Sequence, residues 1–253
     1  MKQLQAAVKE WTAQLPPALQ GELRGLLARA GDPPLGQLVH TLVYLATHGV
    51  LSWAQFEQEL TRYEQRNPNL LLFELSARAF GDHCEALVRQ HAPRLLRPTR
   101  ALDAQYAGEY DLLLPDAPAG VRVEVKGSRA VAARARGSMS GRALHSGAAA
   151  PFVMNFQHLK MHCADVFILV PVWSDVVQYW VLNGAEVKRL PGYCGSQTRD
   201  NQLEAQLHVK PSTAALMTPF ETPPAQLPEA VKVAFARQAA PQGSTVAGRV
   251  GAD

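Results

Sequence analysis

Two short strands joined by a turn are predicted by residues 110–126, whose sequence is YDLLLPDAPAGVRVEVK. Valine occupies every second position of residues 121–125, and charged residues fill the positions between and after them. This period of two places the valines on one face of a strand and Arg122, Glu124 and Lys126 on the other. The valine face is expected to pack in a core, and the charged face is expected to line a cleft.

The partner strand is predicted over residues 110–114, with a hairpin turn centred near Pro118. In this hairpin Asp111 lies opposite Glu124 or Val125. Opposed residues of an antiparallel ladder have Cβ atoms roughly 5 Å apart, so the carboxylates of Asp111 and Glu124 can share one hard divalent ion.

The Pro115-Asp116 dipeptide is predicted to lie at the tip of the hairpin. Five residues of strand at about 3.3 Å each carry Asp116 roughly 16 Å from the level of Asp111. Asp111 is therefore the expected metal ligand of the two.

An acid on one strand followed by Glu124-Val125-Lys126 on the next resembles the active-site motif of the PD-(D/E)xK nuclease superfamily, and most of all the type II restriction endonucleases. The resemblance covers roughly residues 71–209. It implies an α/β fold with a restriction-endonuclease-like core, an αβββαβ mixed sheet flanked by helices. It also implies that Asp111, Glu124 and the Val125 carbonyl hold Mg²⁺, and that Lys126 positions or activates the attacking water. Phosphodiester cleavage needs charge stabilisation and an activated water, which a divalent ion and an ammonium group supply.

Residues 71–90 have helical apolar spacing and end before Pro93, so a helix is predicted ahead of the hairpin. The resemblance implies that a glutamate of this first core helix lies near the metal, and Glu85 is the candidate. Glu74, nearly three turns earlier on the same face, is the reserve. The alternative is that Glu85 is an ordinary solvated helix glutamate.

The elements after the hairpin are predicted in the order helix, strand, strand. Residues 156–161 can open a helix, residues 164–173 form an apolar run typical of a buried central strand, and residues 176–182 are its hairpin partner. The resemblance implies that Gln157 touches the active site, with Lys160 one turn further. The alternative for Gln157 is a polar residue at a helix N-terminus.

Residues 122–142 carry six basic residues and the single acid Glu124, interrupted by glycine and serine. Such a segment beside the two acids favours double-stranded DNA as partner, because phosphate contacts supply most of the affinity for nucleic acid. A solvated loop kept soluble by arginine is the alternative. The residues predicted to contact DNA are Arg122, Arg129, Arg134, Arg136, Arg142 and Lys160.

The composition indicates a globular protein with one large core and appendages. The chain has 253 residues, of which 47% are hydrophobic and 19% charged, and its net charge is only +3. Its three cysteines are dispersed and lack a CxxC spacing, which predicts a reducing cytoplasm and argues against structural zinc. No apolar stretch approaches the ~20 residues of a membrane span, so no membrane association is expected.

Three regions are predicted along the chain. Residues 1–66 contain four helical segments with Ser52 as an N-cap. These helices could read DNA, but packing on the core or a dimer contact is favoured because the segment is not strongly basic. Residues 67–210 form the nuclease core. Residues 211–253 form an extension with one helix over residues 223–238 and a disordered tail.

The function predicted from these features is Mg²⁺-dependent DNA cleavage by a type II restriction endonuclease, acting as a homodimer on a symmetric site. The alternative from another class is a non-catalytic DNA-binding module, in which Asp111, Glu124 and Lys126 form only a salt-bridged network. A repair or recombination nuclease remains open within the nuclease class.

Overall fold

The computed structural model describes residues 2–30, 34–116, 120–196 and 204–239. Its α-helices within these ranges are α1 (Lys2–Ala13), α2 (Pro17–Ala30), α3 (Pro34–Thr47), α4 (Trp53–Arg66), α5 (Ala77–His91), α6 (Gly184–Arg189), α7 (Pro211–Ala214) and α8 (Leu227–Ala239). Its strands are β1 (Leu112–Leu114), β2 (Val121–Arg129), β3 (Val131–Ala132), β4 (Phe152–Leu159), β5 (Val166–Val172), β6 (Trp180–Asn183), β7 (Tyr193–Cys194) and β8 (Ala205–Val209).

The four predicted N-terminal helices are confirmed as α1 to α4. The start of α4 is fixed by a capping box, in which Gln55 N donates to Ser52 Oγ at 3.2 Å and Ser52 N donates to Gln55 Oε1 at 2.8 Å. Leucines such as Leu23, Leu42 and Leu45 fill a small core of this region. The helices also reach the rest of the chain, since α3 packs against the short 3₁₀ helix Ser140–Arg142.

A mixed sheet in the order β1-β2-β5-β6 forms the centre of the molecule. β1 and β2 are antiparallel with Leu112 opposite Val123, so extending the register by one residue sets Asp111 opposite Glu124. The predicted hairpin strands are therefore confirmed. The predicted turn centre, Pro118, lies outside the described residues.

β5 is the buried central strand that its apolar run predicted. It lies between β2, to which it is parallel, and β6, to which it is antiparallel, and all seven of its residues are buried. Val166, Ile168 and Val170 face one hydrophobic cluster, whereas Phe167 and Leu169 face another. A strand covered on both faces gains nothing from alternating polar residues, which explains the continuous apolar sequence.

Two helices, α5 and α8, cover one face of this sheet. Phe80, Cys84 and Val88 of α5 pack against the valines of β2 in the same cluster as Leu227 and Val231 of α8. The predicted helix over residues 71–90 is thus broken in two: a 3₁₀ helix occupies Leu70–Phe73, and Ser76 then caps α5 by accepting a hydrogen bond from Ala79 N at 3.3 Å.

The other face of the central sheet is covered by a second sheet in the order β3-β4-β8-β7. The predicted helix over residues 156–161 is wrong, because this segment belongs largely to strand β4. A register shift lies between Phe156 and Leu159, and within it His158 has a left-handed backbone with φ 56°. The extra residue lets Phe156 and Leu159 both face the core, which mimics helical spacing.

The molecule is accordingly a mixed α/β protein with an N-terminal helical region and two four-stranded sheets. Residues 160–165 form only a turn between β4 and β5, so the second core helix of the expected αβββαβ order is missing there. Parallel strands need a long crossover, and the second sheet, instead of a helix, provides the crossover from β2 to β5.

The predicted C-terminal helix is confirmed as α8, which starts four residues later than expected. The predicted disordered tail covers residues 239–253. Ala239 is the last residue of α8, and the rest of the predicted tail lies outside the described part of the chain. Among the helices described, none is long and apolar enough to cross a membrane.

Candidate active site

The hairpin fixes the carboxylate of Asp111 beside the main chain of β2. Asp111 N donates to Val123 O at 3.1 Å, and Asp111 Oδ2 accepts a hydrogen bond from Val125 N at 2.8 Å. The side chain is thus held on the charged face of the hairpin, where alternation along β2 also places Glu124. The sequence prediction that these two acids share one face agrees with this register.

Glu124 is the most unusual residue of the site. Its side chain is 0% exposed, and its Oε2 has no hydrogen-bond partner among the described residues. Lys126 Nζ lies 2.6 Å from Glu124 Oε1, so the ammonium group pairs with one of the two carboxylate oxygens. Buried charges are nearly always both paired and fully hydrogen-bonded, so the unsatisfied Oε2 of Glu124 needs an explanation.

The electrostatics of Glu124 follow from this position. Burial raises the pKa of its carboxyl, and the nearby Asp111 carboxylate raises the pKa further, whereas the Lys126 ammonium opposes both effects. Two neighbouring carboxylates, one of them buried with an oxygen unpartnered among the described residues, favour the binding of a cation between them.

The hairpin forms one wall of a cleft of about 610 Å³. Asp111, Val125 and Lys126 line it, and the Lys126 side chain is 21% exposed. Glu124 lies behind Lys126 and does not itself line the cleft. The other walls come from α5, from β4 and from the segment that follows β3.

Helix α5 brings acidic and basic side chains to this cleft. Glu85, predicted from the sequence, lines it together with Asp82 and Arg78. Glu85 Oε1 also accepts a hydrogen bond from Arg97 Nε at 3.3 Å. The reserve candidate Glu74 follows the 3₁₀ helix and does not line the cleft.

Strand β4 supplies Gln157, which lines the cleft as expected although it lies on a strand and not on a helix. Its neighbours Asn155 and His158 line the same cleft. Asn155 N donates to Ser128 Oγ at 2.8 Å, which joins β4 to the end of β2. Asn155 Oδ1 is buried and has no hydrogen-bond partner in the described structure.

Two of the predicted DNA-binding arginines are engaged with the protein. Arg122 donates to both carboxylate oxygens of Asp165, at 3.1 and 2.8 Å. Arg129 is buried and donates to the carbonyls of Leu72 and Leu75, and its guanidinium lies 3.9 Å from the ring centroid of Phe80. Arg129 thereby ties β2 to the segment before α5.

The remaining predicted DNA contacts differ in accessibility. Arg134 and Arg136 are exposed in the loop after β3. Arg142 lines the cleft, and its buried Nε has no partner among the residues described. Lys160 Nζ donates to Glu109 O at 3.2 Å and lies close enough to Glu124 to lower the pKa of that carboxyl.

Asp116 lies apart from the other acids, as the length of the strand predicted. Its carboxylate pairs with Arg94, which also donates to Glu229 Oε1 of α8 at 2.8 Å. Asp116 does not line the cleft. This ion-pair cluster ties the end of β1 to α8.

No family model, no curated protein and no solved structure matches this chain. The function of its site therefore has to follow from geometry and chemistry alone.

The donor set of the hairpin fits a magnesium ion. The described ranges contain no group of three or more His, Cys, Asp and Glu side chains placed to hold a metal. Mg²⁺, however, is commonly held by one or two carboxylates and completed by water and substrate oxygens. The carboxylates of Asp111 and Glu124 and the Val125 carbonyl provide such oxygens, and Lys126 pairs with Glu124 next to them.

Sequence reasoning missed Arg78, Asp82, Asn155 and His158 of the cleft. Arg78 and Asp82 lie seven and three residues before Glu85, so helical spacing places them near its face. His158 was hidden by the helix assigned to residues 156–161, and Asn155 lies just before that segment in β4. The alternation of Ala205, Leu207 and Val209 with polar residues is the signal that could have revealed the second sheet.

Proposed function

We propose that this chain is a metal-dependent DNA endonuclease of the PD-(D/E)xK type, most like a type II restriction endonuclease. The observation that carries the proposal is the hairpin itself. It sets Asp111 and Lys126 at one cleft, with the buried Glu124 carboxylate next to Lys126 and one of its oxygens without a hydrogen-bond partner among the described residues. The central sheet with α5 in front of the hairpin supports a restriction-endonuclease-like core, in which the second sheet replaces the expected helix.

Each residue of the hairpin has a role in this proposal. The carboxylates of Asp111 and Glu124 and the Val125 carbonyl hold Mg²⁺, which when bound offsets the charge on the phosphoryl oxygens. Lys126 orients the attacking water and stabilises negative charge as the hydroxide forms. Glu85 and Gln157, on opposite walls of the cleft, complete the set of groups around the scissile phosphate.

The substrate class follows from the charges around the cleft. Arg78 and Arg142 line it, and Arg134 and Arg136 extend the positive surface along the loop that leaves β3. Double-stranded DNA, whose phosphates such cations bind, is the substrate we propose. A homodimer that cuts both strands of a symmetric site in the cytoplasm stays a prediction from the sequence.

A second candidate function is a DNA-binding module without catalysis. One observation favours it: Lys126 contacts Glu124 directly, as a purely structural ion pair would. The buried Oε2 of Glu124 argues against it, because it has no hydrogen-bond partner among the described residues, whereas a structural carboxylate gains stability from such bonds.

Cleavage of supercoiled plasmid separates the two candidates. The nuclease is expected to produce nicked and linear DNA with Mg²⁺ and no products with EDTA. Discrete product ends would indicate a site-specific restriction enzyme, whereas random or junction-dependent ends would indicate a nuclease of another type. Binding without cleavage over a range of divalent ions would support the non-catalytic module.

A further inference from the structure

His158 has the least usual backbone of the described chain. It is the one non-glycine residue there with a positive φ, 56°. A positive φ is uncommon for any residue other than glycine, although histidine adopts it more often than most, and residues held in this left-handed conformation cluster at functional sites.

The bulge that contains His158 lies in the wall of the candidate active site. β4 runs antiparallel to β3, which continues β2, and Asn155 N donates to Ser128 Oγ. Continuing along β4 from Asn155 therefore brings Gln157 and His158 beside Lys126. His158 lines the same cleft as Lys126, and 56% of its side chain is exposed.

A carboxylate orients the imidazole ring. His158 Nδ1 lies 2.6 Å from Oε2 of Glu204, the residue just before β8, and β8 is the strand next to β4. With a proton assigned to Nδ1, the ring donates this bond to Glu204, which fixes the orientation of the ring and leaves Nε2 as the other ring nitrogen. His158 shares its cleft with the acids Asp82, Glu85 and Asp111 and with the cations Arg78, Lys126, Arg129 and Arg142.

We propose that His158 is the general acid of the reaction, with Glu204 as its positioning residue. This inference rests on the proposed nuclease function. Water attacks the phosphorus atom, a new P–O bond forms, and the P–O bond to the deoxyribose oxygen breaks. The electron pair of the broken bond passes to that oxygen, which takes the proton from His158 Nε2. The proton of the attacking water passes to solvent, from which the neutral imidazole recovers its own.

The test variant is His158→Gly, because glycine adopts positive φ without strain and keeps the bulge while removing the imidazole. Its thermal stability should equal or exceed that of the wild type. We expect its kcat for Mg²⁺-dependent DNA cleavage to fall by about 100-fold or more, the usual contribution of a general acid, with little change in KM. Glu204→Gln should lower kcat less, by roughly 10-fold.

The deciding comparison uses a DNA substrate whose leaving group departs without a general acid. DNA in which sulfur replaces the bridging oxygen of the leaving group releases a thiolate, which departs without a proton. On this DNA, His158→Gly should cleave within about threefold of the wild type, so that the defect is confined to the oxygen substrate. His208→Ala, on the neighbouring strand β8, removes an imidazole that does not line the cleft and should cleave both substrates normally.

Equal losses of rate on the oxygen and sulfur substrates would overturn the general-acid role, as would a fully active His158→Gly variant. A wild-type protein that cleaves neither substrate with any divalent ion would overturn the proposed nuclease function, and the role of His158 with it.

Discussion

Glu124 is completely buried, and only one of its carboxylate oxygens, Oε1, pairs with Lys126. A buried carboxylate in this state is costly to the fold, and its contact with Lys126 offsets only part of that cost. A role in binding a cation would explain why the carboxylate is buried at this cost. The effect of Glu124 on the stability of the fold therefore depends on whether its carboxyl group is ionised.

We predict that Glu124→Gln stabilises the protein, measured in EDTA, by an amount that grows with pH. Burial raises the pKa of folded Glu124 above its ordinary value of 4.5, so the wild type gains stability below that pH and loses it as pH rises through the folded pKa. The advantage of the variant should reach about 1.4 kcal/mol for each unit by which the folded pKa is raised. Urea denaturation between pH 4 and pH 8 measures it.

Glu229→Gln is the opposite-sign control. Arg94 lowers the pKa of the exposed Glu229 carboxyl, so its contribution is present at neutral pH and is lost as pH falls. This variant should be slightly less stable than the wild type at neutral pH and equal to it in acid. A stability difference for Glu124→Gln that stays constant with pH would contradict the burial of an ionisable Glu124.

The residues found from the sequence are those whose position follows from local geometry. Strand alternation and strand length were enough to select Asp111 over Asp116 and to place Glu124 and Lys126 together. Arg129 shows the limit: it lies in a basic segment, yet its guanidinium packs on Phe80 and bonds two distant carbonyls. Such burial depends on tertiary contacts that no local pattern records.

The packing of α5 on β2 is tightest at Gly127, next to the metal-binding strand positions we propose. A Cβ at Gly127 would lie 2.4 Å from Cys84 Sγ and 2.9 Å from a ring carbon of Phe80. Cys84 is buried, and burial raises the pKa of its thiol to about 12, so it acts as an apolar core residue. Glycine at this point therefore lets the helix approach the strand.

We predict that Gly127→Ala destabilises the fold by about 1 to 3 kcal/mol, the usual cost of overpacking, in chemical denaturation. Gly81→Ala on the same helix is the matched control, because its Cβ would meet nothing within 4 Å and alanine favours helices. Adding Cys84→Ala should recover part of the stability that Gly127→Ala removes. Equal stabilities for the two glycine variants would refute the close approach.

The helix assigned to residues 156–161 failed for a reason specific to β4. In a regular strand, residues three apart face opposite sides, but the bulge at His158 turns both Phe156 and Leu159 into the core. A bulge adds one residue to a strand and shifts the alternation of its side chains. The apolar residues of a bulged strand can therefore have the same spacing as those of a helix. β5 was predicted correctly from its continuous apolar run. Such a run is typical of a central strand or of a buried helix segment, and the flanking Asp165 and Ser174 limit the run to the length of a strand.

In the whole molecule, the N-terminal helices help to shape the cleft. Val8 and Trp11 of α1, together with Ala143, pack against Tyr63 and Leu70, and α3 contacts the 3₁₀ helix that ends at Arg142. The N-terminal region therefore supports the segment that holds a cleft arginine. Helical periodicity predicted these helices, but it could not predict the surface on which they pack.

The exposed arginines after β3 should govern the salt dependence of DNA binding. Replacing Arg134 and Arg136 by alanine should weaken binding to all duplexes. The slope of log affinity against log salt should fall by about 0.9 for each phosphate that the variant no longer neutralises. Fluorescence anisotropy in Ca²⁺ over a salt series measures the slope.

The matched double variant Arg62→Ala/Arg237→Ala removes the same charge from α4 and α8. These two arginines pair with Glu59 and Glu186 and do not line the cleft, so the slope should stay that of the wild type. Equal slopes for both double variants would show that the loop after β3 does not contact DNA phosphates.

The most direct measurement is the Mg²⁺-dependent cleavage rate of Asp111→Asn beside that of Asp116→Asn. The two variants make the same chemical change five residues apart, one in the cleft with Lys126 and close to Glu124, the other in an ion pair with Arg94. Removing one metal-holding carboxylate should slow cleavage at least ~100-fold for Asp111→Asn, while Asp116→Asn cleaves nearly normally. Normal cleavage by Asp111→Asn, or a defect only in Asp116→Asn, would contradict the assignment of this hairpin as the active site.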